Sequence, residues 1–230
     1  MAGASVILAD IASDALEALV AELSDFDPAR THSIVVDIAN PEEINSLVIK
    51  ALGCTGRIDG AVHSAYPRSK GWGLGFEELN ADDLYQNLSM QLGGAILFSQ
   101  RMLRYFQDQG HGSLIHLSSI QGVQAPKFEH YAGTGMNSPI EYAAIKSGII
   151  SITRWLAKYS ANQNIRVNCV SPGGILDNQP EEFLERYRQS CTNIGMLSAG
   201  QVASVIAFLL SPGAAAINGQ NIIVDDGWSL

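Results

Sequence analysis

Gly112-Ser-Leu-Ile-His-Leu-Ser118-Ser119, with Tyr142-Ala-Ala-Ile-Lys146 opening 23 residues after Ser119, decides how this chain is read. The first stretch is an apolar run of strand length that ends in two hydroxyls. The second sets a phenol and an ammonium at i and i+4, on one face of a helix. A lysine that close favours the phenolate and lowers the phenol's pKa, which suits proton exchange with an alcohol or carbonyl near neutral pH. A hydroxyl from Ser119 can hold the same oxygen. Tyr-x-x-x-Lys by itself also describes a tyrosine packed beside a solvated lysine, so its weight comes from its surroundings.

Outward from this pair, short apolar runs alternate with longer amphipathic stretches. The runs are Val6-Ile-Leu-Ala9, Ile34-Val-Val36, Gly60-Ala-Val62, Leu114-Ile-His-Leu117, Ile165-Arg-Val-Asn-Cys-Val170 and Ile222-Ile-Val224. Their continuity predicts strands covered on both faces. Between them Leu16, Leu19, Val20 and Leu23 form one helical stripe, and Ile44, Leu47, Val48 and Ala51 the next. Asn40-Pro41-Glu42 reads as N-cap, first-turn proline and first-turn acid. Ser138-Pro139-Ile140-Glu141 predicts a capping box, so the helix bearing Tyr142 and Lys146 begins just before them. A last helix is expected over 202–210. The alternation predicts an α/β fold, a doubly wound parallel sheet of Rossmann-like kind, with residues 1–230 in a single domain.

The chain is 47% hydrophobic and 16% charged, a balance that supports one sizeable core. Its net charge of −9 repels nucleic acid and anionic lipid at long range. Cys54, Cys169 and Cys191 are scattered without metal-ligand spacing, so no metal and reduced thiols in a cytoplasmic protein are expected. Cys169 lies in an apolar run and belongs to the core. No basic segment precedes an apolar stretch, and Asp10 interrupts the first run, so neither a signal peptide nor a membrane span is expected.

Ser119, Tyr142 and Lys146 on this pattern resemble the short-chain dehydrogenase/reductase family, and the resemblance runs from residue 1 to the C-terminus. It implies an oxidoreductase that moves a hydride between NAD(H) and a carbon bearing a hydroxyl or carbonyl, acting on a small-molecule substrate as a homodimer or homotetramer. The family opens with a strand, a Thr-Gly-x-x-x-Gly-x-Gly turn and a helix that hold a dinucleotide's pyrophosphate. Met1-Ala-Gly-Ala-Ser-Val-Ile-Leu-Ala-Asp10 resembles instead the end of that helix followed by the second strand. The expectation is an N-terminally truncated domain lacking one unit of roughly 30 residues. Omitting that strand leaves a gap between the family's second and fourth strands, and an in-frame upstream segment is expected to encode the Gly-rich turn.

The resemblance also implies roles. Tyr142 exchanges the substrate proton, Lys146 lowers its pKa and binds the nicotinamide ribose, and Ser119 orients the substrate oxygen. Gln91 stands where the family has an asparagine that holds a relay water; an ordinary buried helix glutamine is the alternative. Asp10 matches an acid that accepts hydrogen bonds from the adenosine ribose and favours NAD over NADP, or else caps a helix. Asp37-Ile38 matches the pair beside the adenine. In His63-Ser64-Ala65-Tyr66 only Ala65 matches the family's Asn-Asn-Ala-Gly, and Tyr66 replaces a glycine that lets the backbone approach the cofactor. His63 reads as a core histidine. Pro172, Gly173 and Ile175 match the turn at the nicotinamide. The spacer between Ser119 and Tyr142 exceeds the family's by about ten residues. Within it Tyr131 lacks a lysine at position 135, which is Gly135, so Tyr142 is the choice. Lys127, His130 and Thr134 either overhang the substrate mouth, suggesting a polar substrate, or form a solvated loop. The segment 178–191 is a candidate lid. This spacer and Pro172-Gly-Gly-Ile-Leu-Asp-Asn-Gln-Pro-Glu181 resemble members associated with bacterial surface-sugar and flagellin modification. A non-catalytic partner subunit of the same fold is the competing reading.

Overall fold

Each apolar run of the sequence forms a strand, because each supplies β-branched or aliphatic residues that can be covered on both faces. The structure, a computed structural model, describes residues 3–24 and 27–230. Its strands are β1 (Val6–Asp10), β2 (Thr31–Val35), β3 (Gly60–His63), β4 (Gly112–Leu117), β5 (Ile165–Pro172) and β6 (Asn221–Val224). The helices are α1 (Ser13–Ser24), α2 (Pro41–Thr55), α3 (Ala81–Asn87), α4 (Gly94–Gln109), α5 (Ile140–Tyr159), α6 (Glu181–Gln189) and α7 (Ala199–Leu210). Every strand pairing is parallel. The result is a Rossmann-like α/β fold.

The sheet is in two parts. β1 pairs with β2, and β3-β4-β5-β6 pair in that order, but no pairing joins β1 to β3. The gap expected from the sequence is thus present, and one backbone edge of each of these strands is unpaired. One core spans both parts: Ile34 and Val36 share it with Ile44, Leu47, Val48 and Ala51 of α2, Phe98, Met102 and Phe106 of α4, and Leu114, Ile165 and Val167. The α2 stripe is buried as expected. Among the described side chains of α1 only Leu16 is buried, and Leu19 is exposed, because α1 lies against a two-stranded piece too narrow to cover its face.

Helix starts divide between expectation and correction. Asn40 does cap α2, its side chain accepting from Glu42 N at 3.0 Å. The capping box at 138–141 does not form. Pro139 occupies the cap position of α5, the Ser138 hydroxyl donates instead to Gln121 Oε1 (2.6 Å), and Glu141 is buried with Asn87 Nδ2 3.4 Å from its Oε1. A tertiary acceptor has taken the hydroxyl that the local pattern assigned to the helix. A true capping box opens α7, between Ser198 and Gln201. Of the helix end expected at the start of the chain, Met1 and Ala2 lie outside the described residues, and Gly3 to Ser5 are not helical.

Unpaired edges lower local protection against exchange. In the 230-residue chain the amides of β1 and β3 are expected to exchange with solvent at least ~10-fold faster than those of β4 and β5, each paired on two sides. Equal protection in a hydrogen-exchange experiment would show the gap closed in solution.

Candidate active site

The first two turns of α5 and the end of β4 build the site. Ser118 and Ser119 follow β4 directly, and the next residues form a short 3-10 turn (Ile120–Gly122) laid against α5. Their approach is very close: a Cβ on Gly122 would fall 2.7 Å from the backbone carbon of Lys146 and 2.8 Å from its carbonyl oxygen. The Ser118 hydroxyl donates to that carbonyl at 2.8 Å, and the Ser147 hydroxyl donates to the Gly122 carbonyl at 3.0 Å. Backbone contact therefore sets the spacing between the serine segment and the Tyr142–Lys146 face.

On that face Lys146 is only 6% exposed, and its Nζ donates to the Leu117 carbonyl at 3.1 Å. Burial pulls its pKa down to about 8. Burial pushes the Tyr142 phenol above its ordinary value, with the Ser119 hydroxyl opposing the shift. The net direction is opposite to the depression expected from the Lys146 charge. Burial is the largest cause of the shift, and the ammonium is turned to a carbonyl, 5.5 Å from the Tyr142 ring centre. Tyr131, the rival, is occupied otherwise: its hydroxyl accepts from Gln121 Nε2 at 3.0 Å, and its ring packs 5.1 Å from Phe183.

Tyr66 turns into the site. Its ring centre lies 5.7 Å from Tyr142, 5.4 Å from Trp72 and 5.5 Å from Lys146 Nζ. The sequence marked Tyr66 as a replaced glycine but gave no direction to its ring, and nothing local distinguished Trp72 or Gly122. Gln91 is 3% exposed in a π-helical turn (Leu88–Gly93), a distortion frequent at functional sites. Neither of its amide atoms has a hydrogen-bond partner among the described residues. His63 is in the core as expected, although its Nε2 also lacks a partner, and burial pulls its pKa to about 4.

The overhanging loop needs correction. His130 is 3% exposed, held to the Ser190 hydroxyl at 3.0 Å and surrounded by Phe183, Tyr187 and Trp228. Thr134 donates to the Tyr131 carbonyl, and Lys127 donates to the Trp228 carbonyl while lying 4.6 Å from that ring. The segment 127–136 is thus stapled to α6 and the C-terminus by an aromatic cluster that sequence spacing does not reveal. Phe183 and Tyr187 of the candidate lid are buried in the same cluster.

Residues assigned to a dinucleotide are at strand ends but partly committed to turns. Asp10 Oδ1 accepts from Ala12 N at 2.9 Å, and Asp37 Oδ1 from Ala39 N at 2.8 Å. Each carboxylate keeps a second oxygen outside its turn. The Ile38 carbonyl lies where a Cβ on Gly94 would come within 3.1 Å, and Ala65 is exposed after β3. Pro172 ends β5, Gly173 N donates to the Val224 carbonyl, and Gly174 N donates to the Tyr187 hydroxyl at 2.6 Å. Gly173 and Gly174 have no room for side chains against Tyr187, Asp225 and Met196. The Ile175 carbonyl accepts from Gln179 Nε2.

The sequence profile described as enoyl-(acyl carrier protein) reductase matches residues 1–229. The chain belongs to the short-chain dehydrogenase/reductase family. Among its relatives is "Post-translational flagellin modification protein A" of Campylobacter coli, 44% identical over 97% of this chain and 88% of that protein. A 3-oxoacyl-(acyl-carrier-protein) reductase of Thermotoga maritima is 31% identical over 98% of this chain and 87% of its own length. Among solved structures, a short-chain dehydrogenase of Leptospira borgpetersenii with bound NAD+ superposes with a TM-score of 0.82 at 28% identity, covering 99% of this chain and 93% of that one. The chain is thus a member of an oxidoreductase family.

Gly122→Ala is expected to destabilise the protein by ~1–3 kcal/mol, since the new methyl meets helix backbone that cannot rotate away. Thermal denaturation checks this, and an unchanged Tm would show that the turn and α5 separate without cost.

Proposed function

We propose that this protein is an NAD-dependent oxidoreductase acting on an alcohol or carbonyl of a small polar substrate, a sugar derivative. The observation that carries the reading is the buried Lys146 ammonium beside Tyr142, with Ser119 at the end of β4. A nicotinamide dinucleotide, when bound, supplies or accepts the hydride. Asp10, Asp37, Ile38 and Ala65 would hold its adenosine end, and Pro172, Gly173 and Ile175 with Lys146 its nicotinamide end. Gln91, buried with two unsatisfied amide atoms, suits the relay-water role. No Thr-Gly-x-x-x-Gly-x-Gly turn occurs in the sequence to cradle the pyrophosphate.

In the proposed chemistry Ser119 donates to the substrate oxygen and Tyr142 transfers the proton to it. A phenol held above its ordinary pKa is protonated at neutral pH, which favours its use as the donor in carbonyl reduction. Lys146 supplies positive charge where the phenolate forms. The sugar assignment draws on the flagellin-modification relative. The expected homodimer or homotetramer is assigned to the apolar face of α4 and α5, where Ile96, Leu97, Trp155 and Tyr159 are exposed. The split sheet favours a second reading, a non-catalytic partner subunit, and NADH binding separates the two.

Tyr142→Phe is expected to bind NADH as the parent does and to lose turnover by at least ~10²-fold, while Tyr131→Phe keeps it. Substantial turnover in the first variant, or loss confined to the second, means that the acid/base is misassigned. Asp10 should repel a 2′-phosphate by charge. Asp10→Ala is therefore expected to narrow the preference for NADH over NADPH, and equal preference in both proteins would remove Asp10 as the selector.

A further inference from the structure

Lys146 is a buried ammonium without an anionic partner among the described residues. Its Nζ has one protein acceptor, the Leu117 carbonyl, and no carboxylate pairs with it among the described residues. Burying a charge is costly unless something compensates it. Two aromatic rings stand in position to do so, Tyr142 and Tyr66, each with its centre 5.5 Å from Nζ. This is within reach of a cation–π interaction.

The Tyr66 ring is held in place. Trp72 packs edge-on to both tyrosines, at 5.4 Å from Tyr66 and 6.0 Å from Tyr142. The loop carrying Tyr66 and Trp72 is pinned by Ser69 N donating to Asn87 Oδ1 (2.9 Å), Gly71 N to Asp83 Oδ1 (3.1 Å) and Asn137 Nδ2 to the Leu74 carbonyl (2.9 Å). A Cβ on Gly71 would fall 2.1 Å from Asp83 Oδ2, so the pinning is tight. These contacts reach the loop from α3 and from the segment before α5.

We propose that Tyr66 is a positioning residue whose ring, with that of Tyr142, holds the Lys146 ammonium charged and in place where the pocket offers no counter-ion. The inference rests on the proposed reaction only for its effect on turnover. The titratable groups around Lys146 are Tyr142 on α5, Tyr66 after β3, His63 on β3 and Cys169 on β5, with Arg68 and Glu141 beside Tyr66. Burial raises both phenols, lowers His63 to about 4 and pushes the Cys169 thiol up to about 11. All four are neutral at pH 7, so the ammonium's charge is supported by ring faces and one carbonyl.

The test follows Lys146 by the pH dependence of its 13Cε resonance in the full chain, assigned by its loss in Lys146→Met. Wild type is expected to titrate near 8 and Tyr66→Phe alike, since the ring remains. Tyr66→Leu is expected to titrate about one pKa unit lower. Lys146 loses its charge as pH rises through its pKa, so the alkaline fall in turnover should move down with it. Should Tyr66→Leu not fold, Tyr66→Met takes its place. An unmoved Lys146 titration without the ring, or an equal shift in Tyr66→Phe, overturns the proposal. Turnover that survives Tyr142→Phe while Lys146 shifts as expected would overturn the reaction instead and leave this inference standing.

Discussion

Burial of the Lys146 ammonium is the constraint around which the site is arranged. A charge removed from water must find compensation within a few ångströms, and here that comes from the Leu117 carbonyl and two aromatic faces. Leu117 closes β4, so the same hydrogen bond fixes how α5 is rotated on the sheet. That rotation carries Tyr142 to the side of Ser119. Gly122 sets the remaining distance by letting the serine turn touch helix backbone. Lysine, phenol and hydroxyl are therefore placed by packing at the β4–α5 contact and not by the flexibility of their own side chains.

The divided sheet bears on the other half of the site. Asp10 ends β1, whereas Ser119, Ala65 and the Pro172–Ile175 turn belong to or follow strands of the larger sheet, and no backbone pairing links the two. The shared core of α2, α4 and the buried ends of β2, β4 and β5 is what keeps the two pieces in one body. Ser119 thus follows β4, a strand paired on both sides, whereas Asp10 ends β1 and Asp37 follows β2, the strands of a two-stranded piece.

Strands were legible because period and continuity of apolar residues are local properties, and all six runs became strands. The Tyr142–Lys146 face was legible for the same reason, since i,i+4 geometry needs no tertiary information. What failed depended on distant partners. Ser138 carried a valid local cap signal, yet Gln121, itself bonded to Tyr131, took its hydroxyl. His130 was polar in a polar loop, but three aromatic side chains from α6 and the C-terminus enclose it. The expected depression of the Tyr142 pKa treated charge proximity alone, whereas burial, which raises it, depends on the packing around the ring. Tyr66 showed that a glycine had been replaced without showing that its ring would meet Lys146.

The central proposal is that hydride moves between a nicotinamide and a substrate carbon while Tyr142 handles the proton. The most direct measurement incubates the protein with NADH deuterated at one or the other face of C4 and a panel of keto-sugars, and reads the products by mass spectrometry. The account predicts one deuterium per product from one face only. Binding of NADH with no deuterium in any reduced product, or product formed with label from neither face, would contradict it.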